Sequence, residues 1–351
     1  MNSKDIIITI EQLTKSIITT LSTTHSFPKF QIQKIPSQRT PQILPTTKRY
    51  FQILVVLGTI HKLLITNEFV TIREIYYEHK TIFQSQRQTE SIIKDIKLLF
   101  GVSDSLDLHV LSTPRGLLQG DVQIVTPTSQ MDFTLSMQLP IISSEYSIIT
   151  QKQRQYLLIV EKEAFYNRLI QSNIPKQLNC IILCGRGYPD NATLNIASQI
   201  VYSNRNIVPC CLVDGDVFGI EIYLCYRFGG VKKNFSSLQV TNQMNQFNQM
   251  NEIKQNQPNC LSGRMKGIPN VKWCLLRPSY KLGTMKMTEK EIRRAKSLLS
   301  IPWLKHEKDV IREIELMIKT ERKMELDELV NENGMFFESE IISQCISHSL
   351  K

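Results

Sequence analysis

VPCCLVDGDVFG, Val208 to Gly219, passes from an unbroken apolar run into Asp-Gly-Asp and then, three residues on, a glycine. A short run with no polar alternation fits a strand buried on both faces, as in a parallel sheet. YLLIV (156–160) and CIILC (180–184) have the same character, and helix-length segments separate the three runs, which predicts a βαβ arrangement. In an open α/β sheet, sites assemble at the carboxyl ends of the strands. Glu161 directly follows YLLIV, and Asp214 and Asp216 directly follow VPCCLV. The two aspartates are two apart, so an extended chain points both the same way. Gly219 is expected to let the backbone turn tightly into the next helix. Three converging carboxylates raise one another's pKa unless a cation lies between them, and all-oxygen ligation suits Mg2+. Taken alone, an Asp-x-Asp after a strand is more often a surface turn; polar residues closing successive strands argue for a site.

The chain has 351 residues and is 42% hydrophobic, enough for two or three domains with sizeable cores. The longest apolar run, FQILVVLGTI, is about half of a bilayer span. Asp5 and Glu11 occupy the N-terminal segment with no signal-like cleavage region, so a soluble intracellular protein with no membrane partner is expected. There is no Cys-x-x-Cys, and Cys180, Cys184, Cys210 and Cys211 fall inside the strand-like runs, where they read as reduced core residues. The net charge is +10. Between Ile253 and Thr288 no acidic residue occurs, whereas Lys254, Arg264, Lys266, Lys272, Arg277, Lys281 and Lys286 do. That distribution suits a polyanionic partner held through phosphate contacts. A solvated basic loop would look the same.

Ahead of the strands the pattern is helical. Ile6, Ile10, Leu13, Ile17 and Leu21 recur at three or four residues, an amphipathic helix, and a proline-punctuated arm follows to about residue 46. RYFQILVVLGTIHKLL, TIREIYYEHK and SQRQTESIIKDIKLLF predict three helices, and LDLHVLS with VQIVT predicts a small hairpin. Three helices and a hairpin form the pattern of a winged-helix module over 47–135, with the parallel-sheet domain over 136–351. The Asn/Gln/Met-biased segment near 240–260 reads as a flexible loop. In TIREIYYEHK, Thr71 and Glu74 have the spacing of a capping box, so the helix starts at Ile72. Ile72, Ile75 and Tyr76 then share the apolar stripe, and Arg73 and Tyr77, four apart, share the opposite face. Tyr76 is the packing residue and Tyr77 the exposed one. His79 fits either a general base or a solvent-facing helix residue, and Trp273 either a core anchor or a base-stacking ring.

VEKEAFYNRL, CGRGYPDNAT and LVDGDVFGIEIYLCYRFGG resemble, in order, the three signature blocks of the Toprim domain in the A subunit of type IIB topoisomerases (topoisomerase VI) and its meiotic double-strand-break relatives. REIYYEHKTIFQSQRQTESIIKDI with RGLLQGD resembles that family's catalytic winged-helix domain, and VKWCLLRPSYKL its C-terminal block. The resemblance runs from about Lys48 to the C-terminus. It implies an α/β protein in which a winged helix precedes a Toprim domain with a mainly parallel sheet. It implies that Glu161, Asp214 and Asp216 bind Mg2+, that Tyr77 is the nucleophile with Arg73 beside it, and that the DNA is held at its 5′ end. Arg87, Lys266, Lys272 and Arg277 are the expected DNA contacts. In the family the tyrosine of one subunit is thought to work with the acids of the other. The implied partners are double-stranded DNA, a second copy of the chain, and a B-subunit-like (transducer/GHKL) protein docking through the N-terminal helix. The implied location is the nucleus, on chromosomes.

Three positions depart from the family pattern: Leu194 stands for an arginine, Val217 for a proline and Tyr280 for an aspartate. Leu194 puts one DNA contact in question. Three functions compete on this reading. The first is a transesterase that makes meiotic double-strand breaks. The second is the A subunit of a topoisomerase, passing duplexes with an ATPase partner, since this chain has no P-loop of its own. The third is a DNA-binding paralogue without cleavage, against which Tyr77 and all three acids are retained.

Overall fold

The computed structural model describes residues 3–25, 47–102, 105–142, 146–151, 153–229, 267–268, 270–274, 276–279, 283–331 and 334–349. The expected arm before residue 47, the low-complexity segment near 240–260, Lys266 and Tyr280 lie outside them. The described residues gather into two compact units, one running from the N-terminus to Thr113 and the other taking up at Pro114, with 141–142 returning to the first.

The first unit contains α1 (Ser3–Thr24), α2 (Thr47–Thr66), β1 (Val70–Thr71), α3 (Ile72–Glu78), α4 (Gln86–Phe100) and β2 (Val110–Leu111). Its core is the apolar stripes of these helices laid together. Ile6, Ile10 and Ile17 of α1 belong to one buried cluster with Ile53, Val56, Ile60 and Leu64 of α2, Ile75 of α3, and Ile92, Ile93 and Ile96 of α4. The amphipathic period of α1 is therefore satisfied inside its own unit. α2 is longer than the apolar run it contains. By length and composition alone it could cross a membrane, but its apolar face is buried in this core. Arg49 ties α2 to α4, donating Nε to Asp95 at 2.9 Å and Nη2 to Ser91 at 2.9 Å.

The hairpin expected from LDLHVLS and VQIVT does not form. The first segment makes a short 3-10 turn and then β2, which pairs in parallel with β1, Val110 opposite Val70. Phe69 stacks on His109, rings 4.1 Å apart, and His109 Nδ1 lies 3.2 and 3.1 Å from the carbonyls of Leu63 and Glu68. Two carbonyl partners require that nitrogen to carry the proton. VQIVT becomes β4 (Val122–Val125) in the second unit. It lies between β5 (Gln130–Asp132) and β7 (Ser147–Thr150) in a three-stranded antiparallel sheet. The units thus divide after residue 113 rather than at 135.

The reason lies in β3 (Leu117–Gln119) and β6 (Met137–Gln138), which extend the main sheet of the second unit. That sheet has the order β11-β10-β8-β9-β3-β6, where β8 is Gln155–Val160, β9 Cys180–Cys184, β10 Ile207–Leu212 and β11 Lys272–Cys274. β8 to β11 are parallel, as the apolar runs predict, and β3 and β6 add an antiparallel edge. Such an edge covers the open side of β9, whose residues are all buried. α5 (Glu163–Gln171) and α6 (Ile174–Gln177) connect β8 to β9, α7 (Asn191–Ser203) connects β9 to β10, and α8 (Val217–Phe228) follows β10. β8 thereby has β9 on one side and β10 on the other, so the chain reverses direction across the sheet at β8. The remaining elements are β12 (Met285–Lys286), α9 (Glu289–Leu299), α10 (Lys308–Thr320), β13 (Arg322–Lys323), α11 (Leu326–Asn331) and α12 (Gly334–Ser349).

Ile6 is fully buried and Ile8 is half exposed on the same helix. Ile6→Ala should lower the urea-unfolding stability of this unit by about 2–4 kcal/mol, whereas Ile8→Ala should change it by less than about 0.5 kcal/mol. Equal effects would show that α1 does not belong to this core.

Candidate active site

The short helix α3 starts where its capping box predicts. Thr71 is its N-cap, the Glu74 backbone N–H donates to Thr71 Oγ1 at 3.1 Å, and the Glu74 carboxylate accepts from the Thr71 N–H. That box sets the rotation of the helix. Ile75 is fully buried, Ile72 and Tyr76 pack partly against the core, and Tyr77 is 54% exposed. Arg73 Nη2 donates to Tyr77 Oη at 3.4 Å, and the guanidinium lies 5.7 Å from the ring centroid. The hydrogen bond from Arg73, then its charge and, more weakly, that of Lys80 hold the Tyr77 phenol below its ordinary pKa near 10. His79 is neither free in solvent nor placed on Tyr77: it is the C-cap, and its Nε2 hydrogen-bonds with Thr59 Oγ1 at 2.9 Å. Arg87 stands exposed in the first turn of α4.

In the second unit, β8 and β10 pair with Val160 opposite Leu212, and the Glu161 N–H donates to the Leu212 carbonyl at 3.1 Å. The register carries Glu161 to the start of the Asp214 loop, where the Asp214 N–H donates to Glu161 Oε2 at 3.0 Å. Asp216 caps α8, its Oδ1 accepting from the Gly219 N–H at 2.7 Å. Gly219 is needed here for closeness: a Cβ at this position would lie 2.1 Å from the Asp214 carbonyl oxygen. Asp214 and Asp216 are buried. Burial, aided by the Asp214 charge, pushes the Glu161 carboxyl up to about 8, and burial likewise raises Asp214 and Asp216.

The structure adds partners that the motifs do not reveal. Lys162 Nζ lies 2.9 Å from Asp214 Oδ2, 2.9 Å from Glu325 Oε2 and 3.3 Å from Asp327 Oδ2. The segment bearing those acids is pinned to the Asp-Gly-Asp loop. Gly215 and Met324 exchange two backbone hydrogen bonds, and the Leu326 N–H donates to Asp214 Oδ1 at 2.8 Å. Lys162 was visible as the residue after Glu161, but nothing local marks Glu325 or Asp327, more than 160 positions away. The donor set at Glu161, Asp214 and Asp216 is all oxygen, desolvated and short of positive charge, and it fits a hard divalent cation. As a trio its oxygens do not all fall within 4.8 Å of one another. Among the described residues only the thiols of Cys210, Cys274 and Cys345 reach that spacing, and they are fully buried.

The remaining expected residues are divided. Lys272 is half-buried on β11. Arg277 donates Nε to the Trp273 carbonyl at 3.1 Å and stacks on that ring at 5.6 Å. Trp273 is a core residue, buried against Tyr223. Leu194 and Val217 are both buried, so neither offers a side chain to a ligand. All seven described cysteines are buried.

With this geometry in place, comparison with known proteins gives a consistent result. The family model for the Toprim domain of the topoisomerase 6 A subunit and Spo11 matches residues 156–251 and 257–346, and that for type IIB DNA topoisomerase matches residues 48–110. The chain is 27% identical to the meiotic recombination protein SPO11 of Mus musculus over 297 residues, covering 81% of this chain and 67% of that one. It is 26% identical to the A subunit of DNA topoisomerase 6 from Arabidopsis thaliana over 284 residues, covering 78% of this chain and 60% of that one. It is 29% identical to the meiotic recombination protein SPO11-1 of Arabidopsis thaliana over 311 residues, covering 85% and 77%.

The elevated Glu161 pKa has a signed consequence. The folded chain holds a proton that the unfolded chain releases near pH 4.5, so stability falls as pH rises from about 4.5 to about 8. Urea unfolding in EDTA should show that decline, and Glu161→Gln should flatten it. A profile unchanged by the substitution would show that Glu161 is not the group responsible.

Proposed function

The chain belongs to the family that unites Spo11 with the A subunit of topoisomerase 6, and on that premise we propose that it cuts duplex DNA by tyrosine transesterification to start meiotic recombination. The observation that carries this reading is the division of labour on α3: Tyr76 partly buried against the core, Tyr77 exposed beside Arg73. A phenol near pKa 10 is about one part in a thousand ionised at neutral pH, a handicap of roughly 4 kcal/mol. The Arg73 guanidinium reduces that handicap and is shaped to hold a phosphate by two parallel hydrogen bonds.

In the proposed reaction Tyr77 Oη loses its proton to water and forms a bond to a backbone phosphorus. The bond from that phosphorus to the 3′ oxygen breaks, and the leaving 3′ hydroxyl takes up a proton. The product is a 5′-phosphotyrosyl ester, in which the energy of the broken bond is kept. Glu161, Asp214 and Asp216 would hold Mg2+, which when bound stabilises charge developing on the phosphoryl group. We propose that α3 and α4, with Arg87, serve as the duplex-reading part of a winged-helix domain, and that Lys266, Lys272 and Arg277, from the later part of the chain, contact phosphates.

One site cuts one strand, so a double-strand break requires two copies of the chain. Since α1 commits Ile6, Ile10 and Ile17 to its own core, a B-subunit-like partner at this helix would meet its outer face, where Ile8 and Ile18 are exposed. A role in duplex passage, as the A subunit of a topoisomerase, is the second reading, favoured by the nearly equal identities to SPO11 and topoisomerase 6 relatives. The two readings share their chemistry and part on whether a B-subunit partner confers relaxation of supercoiled DNA.

Tyr77→Phe should abolish DNA attached to the protein after denaturation, while Tyr76→Phe should retain it and lower stability by no more than about 1 kcal/mol. Asp214→Asn and Asp216→Asn should lose Mg2+-supported cleavage yet still bind DNA in a filter assay at low salt. Attachment that survives Tyr77→Phe would overturn the assignment.

A further inference from the structure

Each of the three acids has one oxygen committed to a backbone N–H: Glu161 Oε2 to Asp214, Asp214 Oδ1 to Leu326, and Asp216 Oδ1 to Gly219. At Asp214 the other oxygen is also engaged, by an ammonium. Lys162 Nζ sits 2.9 Å from Oδ2, so the oxygen that Asp214 can offer a metal already faces a positive charge. Among the described residues, Asp214 is the member of the trio with such an ion pair.

The same ammonium touches two further carboxylates, Glu325 at 2.9 Å and Asp327 at 3.3 Å. These acids are considerably more exposed than Asp214. Lys162 therefore has acceptors on its solvent side as well as on its buried side. Its backbone is fixed as the N-cap residue of α5, and the Tyr166 N–H donates to its carbonyl at 3.0 Å. The side chain can change partners without the main chain moving. Glu325 and Asp327 are themselves held in place through the Gly215–Met324 bridge and the Leu326 N–H.

We infer that Lys162 is a built-in competitor for the divalent cation at Asp214, and that Glu325 and Asp327 are the acceptors to which its ammonium retreats when the cation binds. This rests on the reading of Glu161, Asp214 and Asp216 as the metal acids. An ammonium and a dication on one carboxylate oxygen repel, so Lys162 weakens metal binding, while the two outer acids strengthen it by drawing the ammonium away and adding negative potential. Lys162 also partly neutralises the desolvated carboxylates before a cation arrives. It is a positioning residue that sets the affinity of the site, and its effect has the opposite sign to that of a structural pin. If Lys162 only held residues 324–327 against the Asp-Gly-Asp loop, its loss would loosen the site and weaken binding.

Isothermal titration of the full-length chain with MgCl2, without DNA, reads that sign directly. Lys162→Met should tighten Mg2+ binding about tenfold, and Lys162→Arg, which keeps the charge, should stay within about twofold of wild type. Glu325→Gln, at a more exposed position, should weaken binding about threefold, and it serves as the independent check should Lys162→Met fail to fold. Unchanged or weaker binding in folded Lys162→Met, or unchanged or tighter binding in Glu325→Gln, would overturn the inference. Absence of Mg2+ binding in wild type and variants alike would instead refute the reading of the three acids, and this inference with it.

Discussion

The pairing of β8 with β10, Val160 opposite Leu212, is the constraint on which the candidate metal site depends. Two buried parallel strands ending in register bring Glu161 to the loop that begins at Asp214, and the following turn adds Asp216. The sheet creates an electrostatic problem at this point, because carboxylates leave water without a matching number of cations. The surrounding structure answers it in part. Backbone N–H groups take one oxygen of each acid, Lys162 takes a second oxygen of Asp214, and the 322–327 segment closes over the loop. Burial, the first cause, keeps the pKa of all three acids raised, and their oxygens form a donor set that would suit a divalent cation.

The first unit meets a different demand with less material. A tyrosine proposed as a nucleophile has to be exposed and yet held, and α3 is only seven residues long. Its capping box supplies the hold at one end, and Ile75 anchors it in the middle. With the helical rotation fixed, neighbouring tyrosines in the sequence have different surroundings: one packs, and the other stands beside Arg73 in solvent. The C-cap residue His79 is tied to α2 through Thr59, so the end of the helix is also fixed.

Much of this was legible in the sequence because it is local. Unbroken apolar runs report strands buried on both faces, and Thr71 with Glu74 reports a helix start to the residue. What was not legible depends on pairings far apart in the chain. RGLLQGD looks like the turn of a hairpin until Leu117 and Leu118 pair with β9 and extend the parallel sheet. Gly219 invites a conformational explanation, whereas its role is to let α8 approach the Asp214 carbonyl. α1 has the stripe of a docking helix, and only the packed structure shows that its own unit occupies that stripe. Glu325 and Asp327 look like ordinary helix-terminal charges until the Gly215–Met324 bridge brings them to Lys162.

An exposed tyrosine in one unit and a carboxylate site in the other serve one proposed reaction, and a single measurement examines both. The protein is incubated with duplex DNA and Mg2+, denatured, and digested with nuclease and trypsin, and the nucleotide-bearing peptide is fragmented in a mass spectrometer. The expected result is a nucleotide on Tyr77 in the peptide from Glu74 to Lys80, and no such adduct from the Glu161→Gln chain. A nucleotide on Tyr76, or an undiminished adduct from Glu161→Gln, would contradict the proposed reaction.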